Sequence, residues 1–188
     1  EHGDVPGFKK PPVLFSLQQF SEGLIWLILR SGGYETVLKL STVFFLIMAL
    51  IVWPILMPLS VRQMEPSGKR KRILAVLISA GIILALYYAF SMIFYEFYPT
   101  IESHHIRYVG DWPRSLRNPA FALYIVATIP PLFISSIRRM WIMGLLILVS
   151  VIVSGIFFKV YLTSVWCFFA ALISLVILWI IKEDQMTA

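Results

Sequence analysis

The chain has 188 residues, of which 59% are hydrophobic and 14% charged; a soluble domain would carry charge on about a quarter of its residues. Mean hydropathy is +0.83 and the formal net charge is +6. This balance excludes a soluble globular domain. Because most of the basic residues sit in short connections between apolar stretches, the positive charge reads as a membrane-topology signal and not as a nucleic-acid interface. The single cysteine, Cys167, excludes an intrachain disulfide.

The expected fold class is all-α: a polytopic transmembrane helix bundle with six spans, making residues 1–188 one integral membrane domain. Glu1 to Lys10, with Gly3, Pro6 and Gly7, reads as an interhelical connection and has no signal-peptide pattern. Span A is placed at about 12–30, span B at about 38–59, span C at about 73–97, span D at about 119–136, span E at about 140–158 and span F at about 160–181. Stretches of roughly 20 apolar residues match a hydrocarbon core of about 30 Å. Helices are expected because they satisfy their own backbone in lipid, and no segment alternates like a barrel strand. Pro54 and Pro58 fall late in span B, and Pro130 with Pro131 interrupts span D. Each removes a backbone donor and bends its helix.

Basic residues orient the chain. One side collects Lys9, Lys10, Arg62, Lys69, Arg70, Lys71, Arg72, Arg138, Arg139 and Lys182; the other collects Arg30, Lys39, Arg107, Arg114, Arg117 and Lys159. Ten against six puts the first side in the cytoplasm, with both ends of the six-span piece, and makes the 98–118 loop exoplasmic. The expected setting is a bacterial inner membrane. The lipid bilayer is the expected partner, with other membrane subunits as a further possibility and no nucleic acid.

An ionisable group at bilayer depth is costly and is usually kept for a reason. In span A, Phe15, Gln18, Gln19, Glu22 and Trp26 fall on one face at 100° per residue. Gln18 and Glu22 are i, i+4 neighbours, within hydrogen-bonding reach. The stripe is expected to face the bundle interior, either as a pocket wall, a proton site or a metal ligand, or with a protonated Glu22 that hydrogen-bonds Gln18 or another helix and only fixes packing. Tyr88 and Ser91 of span C, and Ser164 of span F, are candidates to line the same cavity. In the polar loop, His104, His105 and Asp111 are the candidate metal ligands. Adjacent histidines are a poor chelate, and the His-x-x-x-His pair of a zinc enzyme is missing. No motif implies a cofactor: Gly-x-Ser-x-Gly, a phosphate-cradling glycine loop, His-Glu-x-x-His and Cys-x-x-Cys are all absent.

The segment Leu14-Phe-Ser-Leu-Gln-Gln-Phe-Ser-Glu-Gly-Leu-Ile-Trp-Leu27 resembles an uncharacterised family of small bacterial seven-span membrane proteins, and Thr163-Ser-Val-Trp-Cys-Phe-Phe-Ala-Ala171 resembles that family's last span. Members of the family begin with Met-Cys-Phe-Ser-Ala on a first span, which nothing here matches. The resemblance therefore implies a missing first helix, with Glu1 to Pro11 as the first cytoplasmic loop. It carries over the Gln18, Gln19, Glu22, Trp26 stripe and the Ser164, Trp166, Cys167 stretch. No activity comes with it.

The function expected from these residues is a non-catalytic membrane protein that holds a small ligand or lipid at a polar pocket around Glu22, or that serves as a subunit of a larger membrane complex. The alternatives are a metal-dependent intramembrane hydrolase of ceramidase-like type, using Glu22, Ser91, His104, His105 and Asp111, and a proton-coupled transporter.

Overall fold

The computed structural model describes residues 10–66, 68–102, 104–137, 139–157, 161 and 163–171. Helix α1, Lys10–Ser31, occupies the segment read as span A. Gly32 and Gly33, at φ 75° and 80°, and Tyr34, at φ 54°, then reverse the chain. Glycine takes left-handed backbone at no steric cost, so the reversal needs only three residues before the next helix begins.

That next helix runs unbroken through α2 (Glu35–Leu46), a π-helical segment (Ile47–Val52) and α3 (Trp53–Met64). The π segment follows from a proline. The Trp53 N–H bonds the Met48 carbonyl, one residue beyond the α-helical partner. The Ala49 carbonyl then loses Trp53 as a donor, and residue 54, its π-helical partner, is a proline without an N–H. The Tyr124 hydroxyl supplies the missing donor at 2.7 Å. Tyr124→Phe is therefore expected to leave a buried carbonyl unpaired and to lower unfolding free energy by about 1–3 kcal/mol. Thermal unfolding in lipid nanodiscs checks this, and an unchanged midpoint would show that the bond is dispensable.

Pro58 repeats the effect one turn later by removing the donor that the Pro54 carbonyl would use. Helix α4, Gly68–Phe94, brings Gly81 against that carbonyl. This close approach, open only to a residue without a Cβ, lets a Cα–H face the free oxygen. On α4, Leu74, Leu77, Gly81, Leu84, Tyr88 and Ser91 are buried, whereas Val76, Ile83, Leu86 and Ile93 are exposed on the outer face.

The all-α expectation needs correction after α4. The segment read as a polar loop, together with the end of span C, folds into an antiparallel hairpin of β1 (Phe97–Glu102) and β2 (His105–Gly110), with Ile101 opposite Ile106 and Glu102 opposite His105. Its residues are mostly aromatic or β-branched, a composition that suits a half-buried pleated surface. Ile106, 3% exposed, pins the hairpin into the core. The chain continues through α5 (Arg114–Thr128), a short α6 (Pro130–Ile134) and α7 (Met140–Phe157), and the last described stretch, residues 163–171, is helical. Span D is thus two helices, parted before the Pro130–Pro131 pair.

Three helices among the described residues are long and apolar enough to cross a membrane: Glu35–Met64, Gly68–Phe94 and Met140–Phe157, with mean hydropathies of 2.5, 2.4 and 2.5. The other three expected spans are not among them. The 22 residues of α1 are long enough but carry Ser16, Gln18, Gln19, Ser21 and Glu22. Span D is divided, and span F lies beyond the described residues after 171. Lys9, Arg138, Lys159 and Lys182, used above to orient the chain, also lie outside them. The core has two parts. One gathers Trp53, Met57, Leu74 and Leu77 with Met143 and Ile147. The other gathers Ile25, Phe45 and Leu84 with Ile106, Tyr124 and Cys167, under the hairpin.

Candidate functional site

The polar stripe on α1 divides into a dry half and an open half. Gln18 is fully buried. The Trp53 indole N–H donates to its Oε1 at 2.6 Å, and its Nε2 donates to Cys167 Sγ at 3.0 Å. Phe15 stacks on the Trp53 ring with centroids 3.8 Å apart. Gln18 is thus a strut joining α1, α3 and residues 163–171. The i, i+4 bond expected between Gln18 and Glu22 is not made, because the Gln18 amide is engaged by the neighbouring helices.

Glu22 is instead held by Gln19, whose Nε2 donates to Oε2 at 3.3 Å, and by the Tyr108 hydroxyl, which donates to Oε1 at 3.4 Å. Ser164 makes a third hydrogen bond. Tyr108 reaches in from β2 with its ring stacked on Phe45 (4.8 Å, 13°). Burial pushes its phenol pKa well above the ordinary value, and the Glu22 charge and then Cys167 push it further. Tyr108 therefore remains a protonated donor at any physiological pH.

In front of Glu22 opens a cavity of about 500 Å³, lined by Gln19, Trp26, His104, His105, Ser164 and Phe168 among others. Here the hairpin matters most: it carries both histidines to the mouth of a pocket whose acid lies on α1. The hairpin end is braced. Arg107 pairs with Glu102 at 2.7 Å, the Tyr161 hydroxyl donates to Glu102 at 3.3 Å, and the Tyr161 ring meets His105 edge-on at 4.9 Å. Within the cavity wall, Gln19 Oε1 is buried and has no hydrogen-bond partner among the described residues.

Of the residues singled out from the sequence, Gln19, Glu22, Trp26, Ser164, His104 and His105 therefore meet at one cavity. Tyr88 and Ser91 do not line it. Tyr88 packs edge-on against Trp112, and the Ser91 hydroxyl bonds the Tyr87 carbonyl of its own helix at 2.8 Å. Asp111 is exposed beyond the hairpin, its N–H on the Glu96 carbonyl at 3.3 Å. Among the described residues no three His, Cys, Asp or Glu side chains are grouped to hold a metal ion.

Two important residues escaped the sequence reading. Tyr108 lies 86 positions from the acid it serves, and no spacing rule connects them. Glu65 is 1% exposed, although it follows α3 beside a basic run. It accepts from Ser136 N at 2.8 Å and Ser136 Oγ at 3.0 Å, and lies 3.5 Å from Arg70. An acid just before four consecutive basic residues was the available signal.

No curated protein and no solved structure matches the chain. A family model does, over residues 4–188, and it covers both segments on which the resemblance was drawn. The chain belongs to DUF6629, a family of unknown function.

Proposed function

We propose that this is an integral membrane protein, with its basic connections on the cytoplasmic side, that binds a small amphipathic ligand in the cavity at Glu22. The observation that carries the reading is an acid buried on α1, held by three neutral groups, that opens on about 500 Å³ of space. Pockets for small ligands and cofactors span about 300–1,000 Å³ and combine apolar walls with a few convergent polar groups. Here Trp26, Val165, Phe168 and Phe169 supply the walls, and Gln19, Glu22, Ser164 and the two histidines supply the polar groups. A purely structural acid would instead be packed dry, as Gln18 is one turn below.

Glu22→Leu is expected to insert and fold, because the Gln18, Trp53 and Cys167 contacts are untouched, but to lose the bound molecule. Native mass spectrometry of wild type and variant, extracted gently from their own membrane and with metal analysis on the same samples, reads this directly. Equal occupancy in the two proteins would sink the proposal.

A further inference from the structure

Resting on that pocket reading, the geometry points to a ligand class: an organic ammonium ion with an apolar body. The inner wall of the cavity is rich in acceptors. Glu22 is one. Gln19 Oε1 is the second, and its orientation follows from its partner. The amide turns its NH₂ to the Glu22 carboxylate, since its carbonyl would be repelled there, and this leaves Oε1 as a buried acceptor with no partner among the described residues. Two adjacent acceptors call for a ligand with several donors. A primary ammonium has three, whereas a hydroxyl has one.

The charge balance points the same way. The described partners of Glu22 are Gln19, Tyr108 and Ser164, all neutral. The arginines of the hairpin and of α1 are engaged elsewhere. Arg107 is paired with Glu102 at 2.7 Å, and the Arg30 guanidinium lies 5.7 Å over the Trp26 ring. A carboxylate at this depth is costly without a counter-charge, and a bound ammonium supplies one. A ligand anion would meet Glu22 head-on. The apolar body would rest on Trp26, Phe168 and Phe169, and aromatic faces also attract the cationic head.

The test uses phenethylamine, phenethyl alcohol and phenylacetate, which share an aromatic body and differ in the polar head. Equilibrium dialysis against the full chain in lipid nanodiscs is run with wild type, Glu22→Gln, Gln19→Leu and Trp26→Leu, so that partition into lipid cancels between proteins. The amine is expected to bind at least tenfold more tightly than the alcohol. Glu22→Gln should remove that preference and Gln19→Leu should reduce it. Gln19→Leu keeps the acid and serves alone if Glu22→Gln is not monodisperse. If the alcohol or the acid binds as tightly as the amine, and Trp26→Leu weakens it, the ligand class is wrong and the pocket stands. If no probe binds wild type above the level of lipid partition, both the ligand class and the pocket reading are overturned.

Discussion

Gly81→Val is expected to prevent a folded, monodisperse protein from forming. A Cβ at residue 81 would overlap the Pro54 carbonyl oxygen and lie 2.8 Å from the Pro54 carbonyl carbon. Both contacts are backbone, so neither can swing away as the end of a flexible side chain would. Alanine alone should cost about 1–3 kcal/mol, the usual range for overpacking a tight interface. Valine adds two methyl groups in the same place and should separate α3 from α4. The loss would spread, because Gly81 abuts the carbonyl freed by Pro58, and the π segment carrying Ala49 lies directly before it. Gly155→Ala is the control, since a Cβ there meets nothing within 4 Å and alanine has the better helix propensity. Size-exclusion chromatography and thermal unfolding of the three proteins separate the cases. A Gly81→Val protein that elutes and melts like wild type would show that the α3–α4 contact is not the close one described.

Glu65→Ala should cost about 2–3 kcal/mol and loosen the far end of the bundle. The carboxylate accepts from the backbone N–H and hydroxyl of Ser136, in the connection between α6 and α7. Hydrogen bonds to a charged group are worth about 1.5–3 kcal/mol each, and a buried donor left behind carries its own penalty. Arg70 adds little, because its side chain is 45% exposed and the pair is 3.5 Å apart. Glu65→Gln keeps an acceptor and should lose less than half as much. Equilibrium unfolding gives the energies, and limited proteolysis within 135–137 reads the local effect. Unchanged stability and unchanged cleavage in Glu65→Ala would show that Glu65 does not tie this connection to α3 and α4.

Both predictions concern contacts that the sequence does not display. Hydropathy made α4 and α7 legible, because uninterrupted apolar stretches of helical length have few other readings. It also located the long Glu35–Met64 helix, although not its π segment. That segment depends on Pro54 and on the Tyr124 hydroxyl of α5 reaching the Ala49 carbonyl. The hairpin was hidden for a different reason: Phe97 and Tyr98 continue the apolar run of span C, and its charged and histidine residues read as loop. Helical spacing placed the α1 stripe on one face but did not say what each member would meet. Gln18 and Glu22 share that face. One is sealed by Trp53 and Cys167, and the other opens on the cavity, because the hairpin stands over only the second. Tyr108 and the two histidines reach Glu22 through tertiary folding alone.

The central claim is that the cavity at Glu22 is a ligand site. An experimental density map of the protein purified gently from its own membrane tests it most directly. Non-protein density is expected between Trp26, Phe168 and the hairpin histidines, with a polar end within hydrogen-bonding distance of both Glu22 and Gln19 Oε1. A cavity closed by side chains, or Glu22 paired with a cation of the chain itself, would contradict it.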